Sequence, residues 1–259
     1  MLCSLIIRAE KLWEKMKVNR RGGVPSPPAI APHFNSISGR HGSLPLQSLI
    51  DCGRQFYERQ WMWGMSGNLS VRLNGKGAQR CAPTDPISFA ITPSGLNKGH
   101  LSTDDLLIIK DGTPHPKHPK GHTASSETVV HQAVYRALPE AGAVFHVHPV
   151  YSTLISKLYG DAEKVRMLKV EGVMMMKGMI GLKEDNAEVA IIPSWHDPTR
   201  IAQDVAAYIQ SSKKVLPAVL IRDHGLTGWG ATPDQARNHL EIIEYTCQYL
   251  CFKNLLKIS

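Results

Sequence analysis

The sequence is poor in cysteine. Its five thiols, Cys3, Cys52, Cys81, Cys247 and Cys251, are odd in number, scattered, and form no Cys-x-x-Cys pair. That excludes a disulfide-stapled secreted framework and fits a reduced, cytoplasmic compartment. No apolar run approaches the roughly 18 to 20 residues of a membrane span, so no membrane partner is expected. There is no internal repeat. There is also no Lys/Arg stripe with interleaved aromatics, which removes the usual footprint of nucleic-acid binding. The formal charge of +8 does not restore it. Residues 1–42 carry Arg8, Lys11, Lys15, Lys17, Arg20, Arg21 and Arg40 against Glu10 and Glu14, which leaves the body of the chain only mildly basic. A mild excess of that kind suits a small anionic substrate.

What is present is enough sequence for one sizeable core and a spare segment. Residues 1–42 read as a basic, Pro-rich N-terminal extension. Leu5, Ile6, Leu12, Trp13 and Met16 make one face of a short helix, and Pro25, Pro27, Pro28 and Pro32 mark a linker. An unstructured extension and an organellar targeting segment both fit it. From Ser43 to Ser259 the chain reads as one α/β catalytic domain. Leu46, Leu49, Ile50, Gly53, Phe56, Tyr57 and Trp61 recur at helical spacing. Strand-like pieces span residues 69–73, 88–92, 143–148 and 219–223, and a helix is expected over 126–138. A final helix opens at Thr232-Pro233-Asp234-Gln235, an N-cap, first-turn proline and capping box. The irregular alternation of strands and helices allows a mixed, antiparallel or parallel sheet.

Three local patterns carry chemistry. In Phe145-His146-Val147-His148, strand residues i and i+2 face one side, so both imidazoles point into one space. Half-exposed strand histidines are the plainer alternative. In Leu220-Ile221-Arg222-Asp223-His224-Gly225 an apolar strand runs into a His-Gly turn. With His224 the set reaches the three ligands of an open catalytic zinc site. Ala124-Ser125-Ser126-Glu127 opens a helix, where backbone N–H groups and hydroxyls suit a phosphate or a simple serine cap. Two small polar turns, Ser66-Gly67-Asn68 and Thr92-Pro93-Ser94-Gly95, adjoin strand-like pieces and serve equally as plain turns or as phosphate contacts. The dense tract from His115 to His122 sits among prolines and lysines and reads as a solvated loop. Cys247 and Cys251 fall on the apolar stripe of the last helix and are expected in the core.

Taken in order from about Leu46 to Leu250, these pieces resemble the class II aldolase/adducin family. The matching segments are Gly67-Asn68-Leu69-Ser70, Thr92-Pro93-Ser94-Gly95 with Lys98-Gly99, Ser125-Ser126-Glu127-Thr128 with His131, and Ala143 to His148. They continue with Ile192-Pro193, Leu220 to Gly225, Trp229-Gly230 and Ala236 to Glu241. The resemblance implies a three-layer αβα sandwich around a largely antiparallel sheet. It implies one zinc ion per subunit on His146, His148 and His224. It places a sugar phosphate near Asn68, Ser94, Gly95, Ser125 and Ser126, makes Glu127 the acid/base, and points to a homotetramer. The expected activity is a lyase acting on a small phosphorylated ketose, either by dehydration or by aldol cleavage; a non-catalytic adducin-like module is the third reading. In the dehydratase branch a glutamate in a Gly-Tyr-Glu-Met-like stretch is the acid/base. Here the stretch is Glu171-Gly172-Val173-Met174-Met175-Met176, which puts Met174 at that position and Glu171 three residues before it. The methionine run itself reads as apolar packing.

Overall fold

The computed structural model describes residues 44–73, 87–114, 120–179, 187–211 and 216–257. The extension expected over 1–42 and most of the His115–His122 tract lie outside them. The chain opens with helix α1 (Leu44–Glu58), whose Leu49, Ile50, Cys52 and Phe56 are buried at helical spacing. Trp61, expected as the end of that stripe, lies beyond the helix. The chain reverses at Gln60 (φ 65°), Trp61 N–H donates to the Phe56 carbonyl at 2.9 Å, and the indole stacks on Phe56 at 5.4 Å.

The four expected strands are β1 (Asn68–Arg72), β2 (Ser88–Ile91), β5 (Ala143–Val147) and β8 (Ala218–Ile221), and the expected middle helix is α2 (Thr128–Ala137). Sequence patterning did not resolve β3 (Leu107–Lys110), β4 (Thr113–Pro114), β6 (Arg166–Val170), β7 (Ala187–Ile192) or β9 (Gly225–Gly230). Nor did it resolve α3 (Val150–Tyr159) or α4 (Pro198–Ser211). The last helix is α5 (Pro233–Leu256). Among the described residues the strands form one nine-stranded sheet, in the order β4-β3-β2-β1-β5-β9-β8-β7-β6. Every neighbouring pair is antiparallel except β7 with β8.

Helices cover both faces, giving three layers. On one face α1, α3 and α5 bury Phe56, Ile155, Leu240 and Ile243 against Leu69, Val71, Phe145, Val147, Leu220 and Leu226. On the other, α2 and α4 bury Val130, Val134, Ile201 and Val205 against Phe89, Ile91, Val144, Ala190, Val219 and Ile221. Strand residues thus alternate between two cores with period two. At the start of α5, Thr232 Oγ1 accepts from Gln235 N–H at 3.2 Å, as a cap should. The reciprocal arm differs from the expected box: Gln235 Oε1 accepts from the Ala231 amide at 2.6 Å, one residue further back. Cys247 is buried as expected and Cys251 only partly.

Candidate active site

The site lies on the α2/α4 face of the sheet, at the end of β5. Phe145 and Val147 enter the opposite core, so His146 between them projects towards α2. Antiparallel register sets its neighbours: Asn68 of β1 stands opposite His146 on one side and Thr227 of β9 on the other. His148, expected on the strand, follows its last residue, and its N–H donates to the Trp61 carbonyl at 2.8 Å. His224 comes from the tight turn between β8 and β9, where Asp223 adopts φ 54°.

The three imidazoles converge. Their rings are 4.7, 5.0 and 4.8 Å apart, the Nε2 atoms of His146 and His148 are 2.8 Å apart, and one nitrogen from each ring lies within 4.8 Å of the others. Burial, reinforced by the neighbouring histidines, holds His146 well below the usual imidazole range. Burial does the same to His148, at about 3. Both rings are therefore neutral at physiological pH and have lone pairs to offer. His146 Nδ1 meets Thr227 Oγ1 at 2.9 Å, so an Nδ1–H donated there leaves Nε2 bare and pointed at the cluster. Glu127 Oε1 completes the arrangement, 3.3 Å from His224 Nε2 and 3.5 Å from His146 Nε2. Three convergent imidazoles, with one carboxylate beside them, form a donor set suited to a divalent metal ion.

The other expected residues gather beside it. Asn68 is buried, and its Nδ2 donates to Glu127 Oε2 at 3.0 Å and to Ser125 Oγ at 3.3 Å. Its amide is therefore committed to the carboxylate. Thr92 Oγ1 accepts from Leu69 N–H at 3.0 Å, which ties the Thr92–Gly95 turn to the strand that carries Asn68. Ser94 N–H donates to Thr123 carbonyl at 2.9 Å, which brings that turn against the Ser125/Ser126 segment. Ser94, Gly95 and Ser126 are exposed, and Gly95 has φ 71° with open space where a Cβ would be. Neither serine caps α2 with its side chain onto the first turn. Instead Glu127 is the residue before the helix, and its N–H is held by Ser125 Oγ at 3.2 Å.

The structural roles of two residues escaped the sequence reading. Thr227 sits on a Gly-rich strand, Gly225-Leu226-Thr227-Gly228, whose glycines hide its period-two pattern. Lys98 is 1% exposed, and its ammonium donates to the carbonyls of Met65 (2.9 Å) and Leu96 (2.8 Å), clamping the two loops that flank Asn68 and Gly95. A lysine within Asn97-Lys98-Gly99 carries no signal of burial. The methionine run behaves differently from expectation: Met176 packs in the core, while Met174 and Met175 are exposed, and so is Glu171. The short helical turn at Met174–Gly178 presents only one of its side chains inward. Among the described residues, the carboxylate that meets the histidine cluster is Glu127.

The comparisons with known proteins agree with this geometry. A protein of Nocardia farcinica named "Probable bifunctional methylthioribose-1-phosphate isomerase/methylthioribulose-1-phosphate dehydratase" is 34% identical over 85% of this chain, and the chain spans only 38% of that relative's length. A methylthioribulose-1-phosphate dehydratase of Microcystis aeruginosa is 33% identical over 80% of this chain and 95% of its own length. The solved structure of YgbL from Escherichia coli superposes with a TM-score of 0.64 at 25% identity, covering 80% of this chain and 88% of that one. The family profile described as Class II Aldolase and Adducin N-terminal domain matches residues 47–251. The chain belongs to the class II aldolase and adducin family.

Proposed function

We propose that this protein is a zinc-dependent lyase that dehydrates 5-methylthioribulose 1-phosphate to 2,3-diketo-5-methylthiopentyl 1-phosphate, a step of methionine salvage. The observation that carries the reading is the approach of Glu127 Oε1 to within 3.3 and 3.5 Å of two of three convergent histidines. The names of the relatives, methylthioribulose-1-phosphate dehydratases, supply the substrate.

His146, His148 and His224 hold the metal. When bound there, zinc supplies positive charge that polarises a ketose carbonyl and steadies the negative charge developing beside it. The protein does the rest. The turns at Ser94-Gly95 and Ser125-Ser126 seat the phosphate through backbone N–H groups and hydroxyls. Anchoring that end fixes the position of the sugar carbons relative to Glu127. Asn68 occupies Glu127 Oε2, so Oε1 is the free basic oxygen. It takes the C3 proton and returns it to the departing C4 hydroxyl, which leaves as water. Buried, neutral His146 and His148 stay out of that proton traffic. Glu171 and Met174 are exposed, and the proton transfer is assigned to Glu127 instead.

Aldol cleavage remains as the second reading, favoured by the methionine at 174. It uses the same residues but has Glu127 take the proton of the C4 hydroxyl instead. Product analysis with the zinc-loaded protein and methylthioribulose 1-phosphate separates the two, by phosphorus NMR and mass spectrometry. A phosphorylated product lighter by one water supports dehydration. Dihydroxyacetone phosphate with an aldehyde refutes it in favour of cleavage.

The subunits are proposed to associate as a homotetramer. Helix α3 presents Val150, Leu154 and Leu158 to solvent at i, i+4 and i+8. Beside it α5 exposes Tyr245, Tyr249, Phe252 and Leu256. The two helices pack through Tyr151 and Phe252, whose rings are 5.8 Å apart, so the apolar surface is continuous. A patch of this kind on a folded chain is a contact surface. No helix among the described residues is long and apolar enough to cross a membrane, and cytoplasmic residence is proposed with the rest.

A further inference from the structure

Behind Glu127 the polar side chains form a continuous line into the α2/sheet interface, and its hydrogen atoms can be placed by elimination. A carboxylate oxygen can only accept, so with the Asn68 NH2 on Glu127 Oε2 the Asn68 Oδ1 points the opposite way, onto His131 Nε2. Oδ1 can only accept as well, so His131 Nε2 carries a hydrogen. His131 is fully buried, and burial lowers it to about 4, so the ring is neutral and Nδ1 is bare. Ser70 Oγ lies 2.6 Å from Nδ1 and must donate there, in preference to the Val144 carbonyl at 3.3 Å. The Ser70 oxygen then accepts from Tyr135 O–H at 2.9 Å. Arg72 pins the far end: its guanidinium stands 4.7 Å over the Tyr135 ring and donates to the Tyr135 carbonyl at 2.7 Å. Reversing Asn68 or His131 puts acceptor against acceptor in a buried site, where no water replaces the lost bond, while the Tyr135 hydroxyl also has the Val144 carbonyl beside it.

We infer that Tyr135, Ser70 and His131 are positioning residues whose hydrogen bonds all donate in the direction of Glu127. They lock Asn68 with its amide on Oε2 and leave Oε1 free to face the histidine cluster. The inference rests on Glu127 being the base. Asn68 sits opposite His146 across β1 and β5, so the same sheet register that places the histidine places the anchor of the carboxylate.

Two measurements test it. The first needs no turnover: nitrogen-15 NMR of histidine-labelled, metal-loaded full-length protein should show His131 as the Nε2–H tautomer between pH 5.5 and 8. An Nδ1–H tautomer, or a doubly protonated ring, overturns the assigned direction even if every variant misfolds. The second is kinetics on methylthioribulose 1-phosphate. His131→Gln keeps an N–H donor near the Nε2 position, whereas His131→Asn is too short to reach Asn68. The expectation is a kcat loss of about 10- to 100-fold in His131→Asn, with KM and metal content held within about threefold and substantial recovery in His131→Gln. Equal losses in both variants, or a loss confined to KM, would make His131 merely structural and refute the inference. Glu127→Gln is run alongside. If it retains kcat, the reading of Glu127 as base has failed and takes this inference with it. If it is inactive while His131→Asn is normal, only the inference has failed.

Discussion

Gly225 stands where any Cβ would lie 2.6 Å from Cδ2 of His148 and 3.1 Å from Cε1 of His146. The first residue of β9 therefore has to lack a side chain for the two imidazoles to share one space. The same Cβ would lie 2.5 Å from the Val147 carbonyl oxygen of β5, so a Gly225→Ala variant should both melt at a lower temperature and bind less than one metal ion per chain after gel filtration. Full metal occupancy in that variant would mean the histidines do not need the gap.

Thr227 Oγ1 lies 2.9 Å from His146 Nδ1 and helps hold the orientation of that ring. Thr227→Val keeps the shape of the side chain and removes the oxygen. Loss of such an outer hydrogen bond typically weakens metal binding by about 10- to 100-fold. Competition with a chromophoric chelator measures it, and an unchanged affinity would show that the hydroxyl does not orient the ring.

Glu127→Gln keeps the size of the group and its place beside Asn68, but cannot take a proton. We expect turnover to fall by at least about a hundredfold, the usual scale of a general acid/base. Near-normal turnover would transfer the role to another residue, with Glu171 the next to replace.

Lys98 gives a pH signature. Burial lowers its ammonium to about 8, below the usual unfolded value near 10.4. The folded state therefore penalises the charged form. That cost is full below about pH 8 and is relieved as pH rises towards the unfolded pKa, where the unfolded chain holds more protons. Relative to Lys98→Met, the wild type should gain about 1 kcal/mol of stability between pH 8 and pH 9, by urea denaturation. Buried thiols such as Cys52, pushed up to about 12, act in the opposite sense but are common to both proteins and cancel. A pH-independent difference would contradict the penalty.

The apolar face of α3 and α5 should be where subunits meet. Leu154→Glu combined with Tyr249→Glu places two charges on it. Light scattering should then report a smaller assembly than that of the wild type. An unchanged mass would move the contact elsewhere.

Much of the site was legible before any coordinates. His146 and His148 stood out through the two-residue period of a strand; His148 follows the last strand residue, yet its ring still meets that of His146. Their confinement to one apolar stretch, Ala143 to His148, made the strand itself easy to see. Glu127 and Ser125 were visible as a helix opening. The strands that went unseen lacked one of those cues. The central strand β9 is half glycine, and β6 exposes Arg166, Met167 and Lys169 at the sheet edge, so its alternation is weak. The burial of Lys98 was invisible because nothing in a lysine's neighbours along the chain tells that two distant carbonyls await its ammonium.

The amino-acid sequence by itself determined which groups were available: three histidines, one well-placed glutamate, small polar turns, and apolar patterns that put strands between helices. Those follow from side-chain chemistry and local periodicity, which act over a few residues. Tertiary structure alone decided that Asn68, 78 positions from His146 in the sequence, faces it across two strands. It decided that His224 closes the cluster, that Thr227 orients one ring, and that His131 lies in line behind Glu127. Register between distant strands is set by the fit of both cores at once, so no local stretch of chain contains it.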